Sequence, residues 1–187
     1  METGAPTLLL SAEDYLRHEA DGAVRHEFIG GRIHAMAGTS EAHNTISVNL
    51  VSAFHAHLRG GPCKAYMADF KVRLEINRED LFYYPDVMVA CQRVGVEQSY
   101  LRYPTLLVEV LSPSTENIDR REKLLNYPQI STVEEYVLVA QETREVTIHR
   151  RAEDWAPRLL TAPADVAEFR SIKLSLPLAR IYEGVLG

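Results

Sequence analysis

The spacing of hydrophobic residues predicts helices at four places in the chain. Residues 11–20 show a short amphipathic pattern, with Ser11 as the N-cap. A longer helix begins after Thr39 and Ser40, because apolar side chains then recur at helical spacing; they are Ile46, Leu50, Val51, Phe54 and Leu58. We expect two further helices, one over residues 117–127 and a short one over residues 178–185.

Short runs of apolar or alternating residues predict the β-strands. Residues 25–29 and 32–36 alternate on either side of two consecutive glycines, which is typical of a tight hairpin near the N-terminus. A second hairpin is predicted over residues 135–140 and 145–150. Further strands are predicted over residues 70–75, 81–90, 105–111 and 155–163, with strand or extended chain over residues 169–176.

Two of these apolar runs contain a carboxylate. Asp86 follows Pro85, whose missing backbone donor favours a bulge or an edge position there, and Glu109 lies in the strongest strand pattern of the chain. A carboxylate in an apolar interior is costly unless it is paired or bound to a metal ion. Lys123, on the next predicted helix, is a candidate partner. The three residues could hold a hard divalent cation and a water molecule, or they could form a buried ion pair.

Length and composition indicate one domain. A chain of 187 residues that is 46% hydrophobic can form a core, and we assign residues 1–10 to a flexible N-terminus and residues 11–187 to a single domain. No segment has the length and apolar character of a membrane span or a signal peptide. Cys63 and Cys91 match no metal-ligand spacing. We therefore expect a cytoplasmic protein with no membrane contact, in which the cysteines are small buried residues.

The charge balance bears on possible partners. A formal net charge of −6 argues against tight non-specific binding of nucleic acid, which depends on neutralising phosphates. It does not exclude a nuclease, because carboxylates that bind a cation contribute to the charge and a basic patch can be local. The candidates for such a patch, which could equally be solvated surface residues, are Arg25, Arg32, Lys71, Arg73, Arg120 and Arg121.

Several of these segments together resemble the Uma2 family, formerly a domain of unknown function and now classed with the PD-(D/E)XK restriction-endonuclease-like superfamily. The resemblance rests on Pro85-Asp86, on Glu109 within Val-Glu-Val-Leu-Ser-Pro-Ser-Thr, and on Lys123 with Tyr127. It runs from residue 11 to residue 185, nearly the whole chain, and includes the segments His-Glu-Phe-Ile-Gly-Gly-Arg-Ile and Glu-Tyr-Val-Leu-Val. Any single segment is a weak signal, whereas their combination in this order is fairly specific.

The resemblance implies an α/β fold with a restriction-endonuclease-like mixed β-sheet flanked by helices. It also implies hydrolysis of a phosphodiester, most simply in DNA, with Mg²⁺ as the metal ion and Mn²⁺ as a substitute. Asp86 and Glu109 would be the metal ligands, together with the backbone carbonyl of Val110. Lys123 would be the catalytic lysine that assists the attacking water. Glu27 would bind or orient a water at the metal ion, although a salt bridge is its alternative role.

Three further residues are candidates for substrate binding. His43 could reach a polar cleft from the start of its helix, with a surface or capping role as the alternative. Arg121 could contact phosphate or remain a solvated surface residue, and Tyr127 could be a half-buried packing residue instead. The chain also departs from the superfamily pattern, because the lysine usually found two residues after the glutamate is Leu111 here. Lys123 must therefore reach the acids from the following helix.

Three functions remain compatible with the sequence. The first is a metal-dependent DNA endonuclease, and the second is a non-catalytic nucleic-acid-binding or protein-assembly module that keeps the nuclease fold. The third is a phosphodiesterase acting on RNA or a small nucleotide. The set Glu27, Asp86, Glu109 and Lys123 favours the first, whereas the acidic net charge favours the second. A homodimer is a further expectation, since cleavage of two strands often uses paired sites.

Overall fold

The computed structural model describes residues 9–36, 38–92, 94–97, 99–113 and 116–186. Most of the N-terminus that we expect to be flexible, residues 1–8, lies outside this part of the chain. The backbone N–H of Leu10 donates a hydrogen bond of 2.8 Å to the carbonyl oxygen of Gly31. The start of the described chain is thus attached to the first hairpin.

The helices begin at the residues that the sequence indicates. Ser11 and Ser40 both act as N-caps, and their hydroxyl oxygens accept hydrogen bonds from backbone N–H groups three residues later. The helical segments are α1 Ala12–Asp21, α2 Glu41–Leu58, a π-helical turn Ile118–Lys123, α3 Leu124–Asn126, a 3₁₀ turn Tyr127–Gln129 and α4 Leu178–Ile181. We call the continuous helical stretch from Ile118 to Gln129 the lysine helix. Among the described residues, no helix is long and apolar enough to cross a membrane.

Strands make up most of the remaining structure. In chain order they are β1 His26–Ile29, β2 Arg32–Ala35, β3 Lys64–Met67, β4 Lys71–Ile76, β5 Glu79–Tyr83, β6 Val87–Ala90, β7 Tyr100–Leu101, β8 Leu106–Leu111, β9 Glu135–Ala140, β10 Val146–Arg150, β11 Pro157–Leu160, β12 Val166–Phe169 and β13 Leu174–Pro177. The hairpin β1–β2 turns at Gly30 and Gly31, which both have positive φ angles of 55° and 81°. Glycine adopts this left-handed backbone without strain, so the glycine pair suits the tight turn.

The strands form two large sheets and a small one. A five-stranded sheet has the order β2-β1-β5-β4-β7, and a six-stranded sheet has the order β11-β10-β9-β8-β6-β3. Strands β8 and β9 run parallel and the other pairs of the six-stranded sheet run antiparallel. Strands β12 and β13 form a separate hairpin near the C-terminus. The predicted mixed sheet with flanking helices and additional hairpins is confirmed.

The six-stranded sheet has a hydrophobic core on each face. On one face, α2 and α4 pack against the central strands through side chains such as Leu50, Val108 and Ile181. On the other face, the five-stranded sheet and the lysine helix contribute residues such as Val72 and Tyr127. Because side chains alternate along a strand, neighbouring residues of β8 face different cores. This arrangement places the lysine helix over the centre of the sheet.

The prediction of one interrupted strand over residues 81–90 is wrong. The first part, β5, pairs with β1 and β4 in the five-stranded sheet, whereas β6 pairs with β3 and β8 in the six-stranded sheet. The chain passes from one sheet to the other at residues 84–86. Pro85 cannot donate a backbone hydrogen bond to a neighbouring strand, which suits it to a position between two strands. Asp86 therefore lies at the junction of the two sheets.

The two cysteines also differ from the prediction. Cys63 precedes β3 and Cys91 follows β6, and the antiparallel pairing of these strands brings them side by side. They form a disulfide bond and are only partly buried, so the expectation that both are simply small buried residues is wrong. A separation of 28 residues gave no signal of this pairing, because it depends on the register of β3, a strand that the sequence pattern did not predict.

Candidate active site

A cavity of about 210 Å³ lies where the hairpin β1–β2, the start of α2 and the lysine helix meet. The residues that line it include Glu27, Asp86, Glu109 and Lys123. These four come from β1, the sheet junction, β8 and the lysine helix, so distant parts of the chain converge here. The cavity therefore contains all four residues for which the sequence predicts a catalytic role.

Lys123 lies at the centre of the buried charges. Its ammonium nitrogen is 3.0 Å from Glu27 Oε1, 3.1 Å from Glu109 Oε1 and 3.0 Å from Asp119 Oδ1. Burial alone lowers the pKa of Lys123, but the charges of Glu109, Glu27 and Asp119 outweigh it and raise this pKa well above its ordinary value. Lys123 is therefore a stable cation that is shared by three carboxylates.

Glu109 projects from the middle of β8 towards the lysine helix. Its neighbours Val108 and Val110 belong to the core on the α2 side, so the alternation of the strand turns Glu109 to the other side. Its Oε1 accepts hydrogen bonds from the hydroxyl of Tyr127 at 2.8 Å and from Lys123 at 3.1 Å. Burial raises the pKa of Glu109 well above its ordinary value; the charge of Lys123 opposes this effect and the neighbouring acids add to it. An additional cation in the cavity would favour its ionised form.

The backbone of β8 holds the side chain of Asp86 in place. Its Oδ2 accepts a hydrogen bond of 2.7 Å from the N–H of Val110, and its Oδ1 lies 3.3 Å from Nε2 of His43. Burial lowers the pKa of His43, but the hydrogen bond and the charge of Asp86 outweigh burial, so that the pKa is raised overall. Asp86 remains partly accessible, with its side chain 18% exposed. It can therefore meet both a protein group and a ligand in the cavity.

Glu27 enters the cavity from the first hairpin. Its Oε1 is within 3.4 Å of the backbone nitrogen of Tyr84, which donates to it, and it also contacts Lys123. In the register of the hairpin, Glu27 lies directly across from His34, so their side chains are on the same face of the sheet. His34 also lines the cavity. The salt bridge that the sequence offered as the alternative role of Glu27 is present, and it forms inside the cavity.

Tyrosine hydroxyls fix the lysine helix to both sheets. Tyr83 donates a hydrogen bond of 2.6 Å to Glu122, and Tyr136 donates one of 3.0 Å to the carbonyl oxygen of Asp119. The stretch around Lys123 is a π-helical turn rather than the predicted regular helix. Single π-turns within helices occur frequently at functional sites, where they change the direction of a side chain. The turn and its anchors place Lys123 against Glu109.

The carboxylate oxygens in the cavity are ligands of the kind that a divalent cation such as Mg²⁺ prefers. Asp119 Oδ1 is buried and has no well-directed hydrogen-bond donor among the described residues, although Lys123 is 3.0 Å away. One lysine thus balances several buried acids incompletely. Among the residues that the structure describes, no group of three or more His, Cys, Asp or Glu side chains is arranged to hold a metal ion. Mg²⁺ commonly binds through one or two protein carboxylates plus water and phosphate oxygens, so Asp86 and Glu109 fit it.

The three residues predicted to bind substrate occupy different environments. His43 lines the cavity beside Asp86. Tyr127 is completely buried and donates its hydroxyl to Glu109, which favours a positioning role over contact with substrate. Arg121 is exposed and is not among the described residues that line the cavity. Asp119, which the sequence analysis did not single out, is an additional acid of the site.

The candidates for a basic rim do not form part of the wall of the cavity. None of the six candidates is among the described residues that line it. Arg25 pairs with Asp69, Arg73 with Asp80, and Arg120 with Glu116 and Glu145, while Lys71 is buried beside Tyr84. These cations are therefore engaged in the fold or at other surfaces.

Known proteins resemble this chain in sequence and in fold. It is 37% identical to the uncharacterised protein slr1290 of Synechocystis sp. over 183 residues, which cover 97% of this chain and 95% of that protein. It is 30% identical to the uncharacterised protein sll1609 of the same organism, over 91% of this chain and 98% of that protein. A crystal structure described as a putative nuclease belonging to DUF820, from Anabaena variabilis, superposes with a TM-score of 0.77 at 16% identity. The superposition covers 93% of this chain and 98% of that one, so the two have the same fold.

The family assignment comes from the sequence as a whole. The model of the Uma2 family, described as "Putative restriction endonuclease", matches residues 12–179. The match includes the hairpin, the sheet junction, β8 and the lysine helix, which together form the cavity. The chain belongs to the Uma2 family of restriction-endonuclease-like proteins.

Proposed function

We propose that this protein is a metal-dependent endonuclease that hydrolyses phosphodiester bonds in DNA. The observation that carries the proposal is the convergence of Asp86, Glu109 and Lys123 on one cavity in a member of the Uma2 family. Two acids and a lysine suit phosphodiester hydrolysis, which requires stabilisation of negative charge and a positioned water.

Asp86 and Glu109 would hold a magnesium ion together with the backbone carbonyl of Val110, and manganese could replace it. When bound, the ion supplies positive charge that stabilises the phosphate oxygens and makes water a stronger nucleophile. The hydrogen bond from the N–H of Val110 orients the carboxylate of Asp86. Tyr127 orients that of Glu109. Both ligands are therefore fixed before substrate binds, which reduces the cost of assembling the site.

Lys123 and Glu27 would act on the water and the phosphate. The ammonium group of Lys123 lies against both Glu27 and Glu109, so it can donate a hydrogen bond to a water or to a phosphate oxygen within the cavity. Glu27 can accept a hydrogen bond from the same water and so orient its lone pair towards the phosphorus. This role needs a carboxylate on the hairpin side of the cavity, which β1 provides.

A cleavage assay tests the proposal. The purified protein would be incubated with single-stranded DNA, duplex DNA and RNA, each with magnesium, manganese or a chelator. We expect DNA fragments with either metal ion and none with the chelator. The Asp86→Asn variant, purified in parallel, controls for a contaminating nuclease. Binding without cleavage under every condition would support the non-catalytic module instead, and cleavage of RNA alone would assign a ribonuclease.

Tyr127→Phe should weaken the site without disturbing its shape. The substitution removes the 2.8 Å hydrogen bond to Glu109 but keeps the buried ring. Loss of such an outer partner of a metal ligand typically lowers metal affinity or activity by roughly 10–100-fold. Calorimetric titration with manganese and initial cleavage rates would measure both quantities. Tyr182→Phe is the matched control, because it removes a buried tyrosine hydroxyl that bonds to Glu145 instead. Equal effects of the two variants would contradict the positioning role.

Lys123→Met should abolish turnover and make the fold depend on a metal ion. The variant leaves Glu27, Glu109 and Asp119 without their shared counter-ion, and an uncompensated buried charge is strongly destabilising. A divalent cation in the cavity would replace the lost positive charge. We therefore expect magnesium to raise the melting temperature of the variant more than that of the unaltered protein. The exposed Lys64→Met serves as the control. A magnesium effect no larger than in the control would count against a cation site here.

A further inference from the structure

Two exposed apolar side chains lie at the same cavity as the charged cluster. Met36 is 39% exposed and follows β2, and Ile118 is 38% exposed and begins the lysine helix. Both line the cavity that contains Glu109 and Lys123. Scattered exposed hydrophobic residues are ordinary on a protein surface. These two differ because separate elements place them beside a buried catalytic cluster.

Few cationic side chains in the wall of the cavity could hold a duplex by its phosphates. The described residues that line the cavity include one lysine, Lys123, and no arginine. The charge of Lys123 is already shared by three carboxylates. Affinity for paired DNA depends largely on lysine and arginine contacts to the backbone. Contacts with the bases must therefore contribute more of the binding free energy at this site.

The depth of the cluster points in the same direction. Glu109 is 3% exposed and Lys123 is 4% exposed, at a cavity of about 210 Å³. A phosphate in a paired duplex is part of a wide double helix, which cannot enter a narrow recess. An unstacked nucleotide is narrower and can bring its phosphate to buried side chains. Side chains such as methionine and isoleucine are among those that insert between base steps and separate them. Unstacking costs least where the bases are mismatched or already single-stranded.

We propose that Met36 and Ile118 form an apolar clamp for nucleobases, so that the site takes locally unpaired DNA in preference to a fully paired duplex. The proposal rests on the nuclease function proposed above and specifies its substrate class. The clamp would contact the bases beside the scissile phosphate. His34 lies across the hairpin from Glu27 and lines the same cavity. It is therefore placed to contact the sugar-phosphate backbone of the DNA beside these bases.

Binding measured by fluorescence anisotropy in the presence of a chelator tests the clamp separately from cleavage. The probes are a labelled single strand of DNA, the same strand in a perfect duplex, the duplex with a central mismatch, and the RNA strand of the same sequence. We expect the single strand and the mismatched duplex to bind more tightly than the perfect duplex. The double variant Met36→Ala, Ile118→Ala should weaken binding to the single strand by about tenfold or more. Its salt dependence should be unchanged, because no charge is removed.

Control variants separate the clamp from a general loss of apolar surface. Val48 and Leu159 are 43% and 58% exposed and do not line the cavity, so the double variant Val48→Ala, Leu159→Ala should bind as the unaltered protein does. Met36→Leu should also retain binding, since it keeps an apolar side chain of similar size. Equal binding of DNA and RNA single strands would agree with contacts made through the bases.

Three results would overturn the clamp. The first is equal or tighter binding of the perfect duplex, the second is unchanged single-strand binding in the alanine double variant, and the third is binding of RNA alone. If magnesium-dependent cleavage of duplex DNA persists in these cases, the nuclease function stands and only the clamp is wrong. Failure to bind any of the four probes, together with failure to cleave them, would remove both proposals.

Discussion

Asp86→Ala is expected to abolish magnesium-dependent cleavage while leaving the protein folded. Asp86 is more accessible than Glu109, the other proposed metal-binding carboxylate. The N–H of Val110 sets the orientation of the Asp86 side chain. Its removal would take away one of the two side-chain ligands. The charge stabilisation supplied by a catalytic metal ion amounts to several kcal/mol, so the rate should fall by roughly a thousandfold or more.

The fold should survive this change, because Asp86 is a partly exposed acid at a cavity that already carries more buried negative than positive charge. Initial cleavage rates and thermal melting would be measured on the same preparation. Asp69→Ala is the control: it removes the same charge from an exposed position paired with Arg25, and it should leave the rate unchanged. Cleavage at the full rate by purified Asp86→Ala would refute the proposed metal site.

Glu135→Ala is expected to lower the stability of the fold strongly. Glu135 is 1% exposed at the start of β9, and its carboxylate accepts hydrogen bonds from Arg150, from the backbone of Arg170 and from both the backbone and hydroxyl of Ser171. It thereby joins the six-stranded sheet to the turn between β12 and β13. Alanine would leave the guanidinium group of Arg150, itself 2% exposed, without its buried partner.

Breaking a buried ion pair by removing one partner typically costs about 3–5 kcal/mol. Urea denaturation would measure the free energy of unfolding, and the midpoint should fall clearly relative to Glu142→Ala, an exposed control. Glu135 does not line the cavity, so the cleavage rate at a temperature where the variant is folded should stay near that of the unaltered protein. A stability loss below about 1 kcal/mol would show that the network contributes little.

The two variants separate the chemistry of the protein from its framework. Asp86 immediately precedes β6 and Glu135 begins β9, yet the surroundings of these two acids differ. The side chain of Asp86 lines a cavity and is partly exposed. The carboxylate of Glu135 is buried, and each of its contacts described above is with another group of the protein. A carboxylate thus carries a proposed catalytic role in one place and a structural role in the other.

Local sequence patterns predicted the elements whose shape depends on neighbouring residues. The first hairpin follows from two glycines that accept positive φ angles between alternating runs. The start of α2 follows from Ser40, whose hydroxyl caps the helix, and the stripe that includes Leu50 and Phe54 lies in the core as its spacing indicates. Each of these features is decided within a few residues of the chain.

Features that depend on distant residues were predicted less well. The split of residues 81–90 into β5 and β6 was missed, because two short apolar strands in different sheets have the same pattern as one longer strand. The segment predicted as strand or extended chain over residues 169–176 contains the end of β12, the turn Arg170–Ile172 and most of β13, so the turn of this hairpin was missed. The disulfide between Cys63 and Cys91 depends on the pairing of β3 with β6.

By itself the sequence determined that Asp86 and Glu109 stand in apolar runs and need partners, since a carboxylate buried alone is too costly to retain. Only the tertiary structure decided who those partners are. It gives Asp86 the N–H of Val110 and the imidazole of His43 as partners. It places Glu109, Glu27 from the first hairpin and the unforeseen Asp119 around the ammonium group of Lys123, and none of the candidate arginines is among the described residues that line the cavity. The reason is physical: periodicity records which face of an element is buried, but the distance between charges on different elements is set by how the sheets and helices pack together.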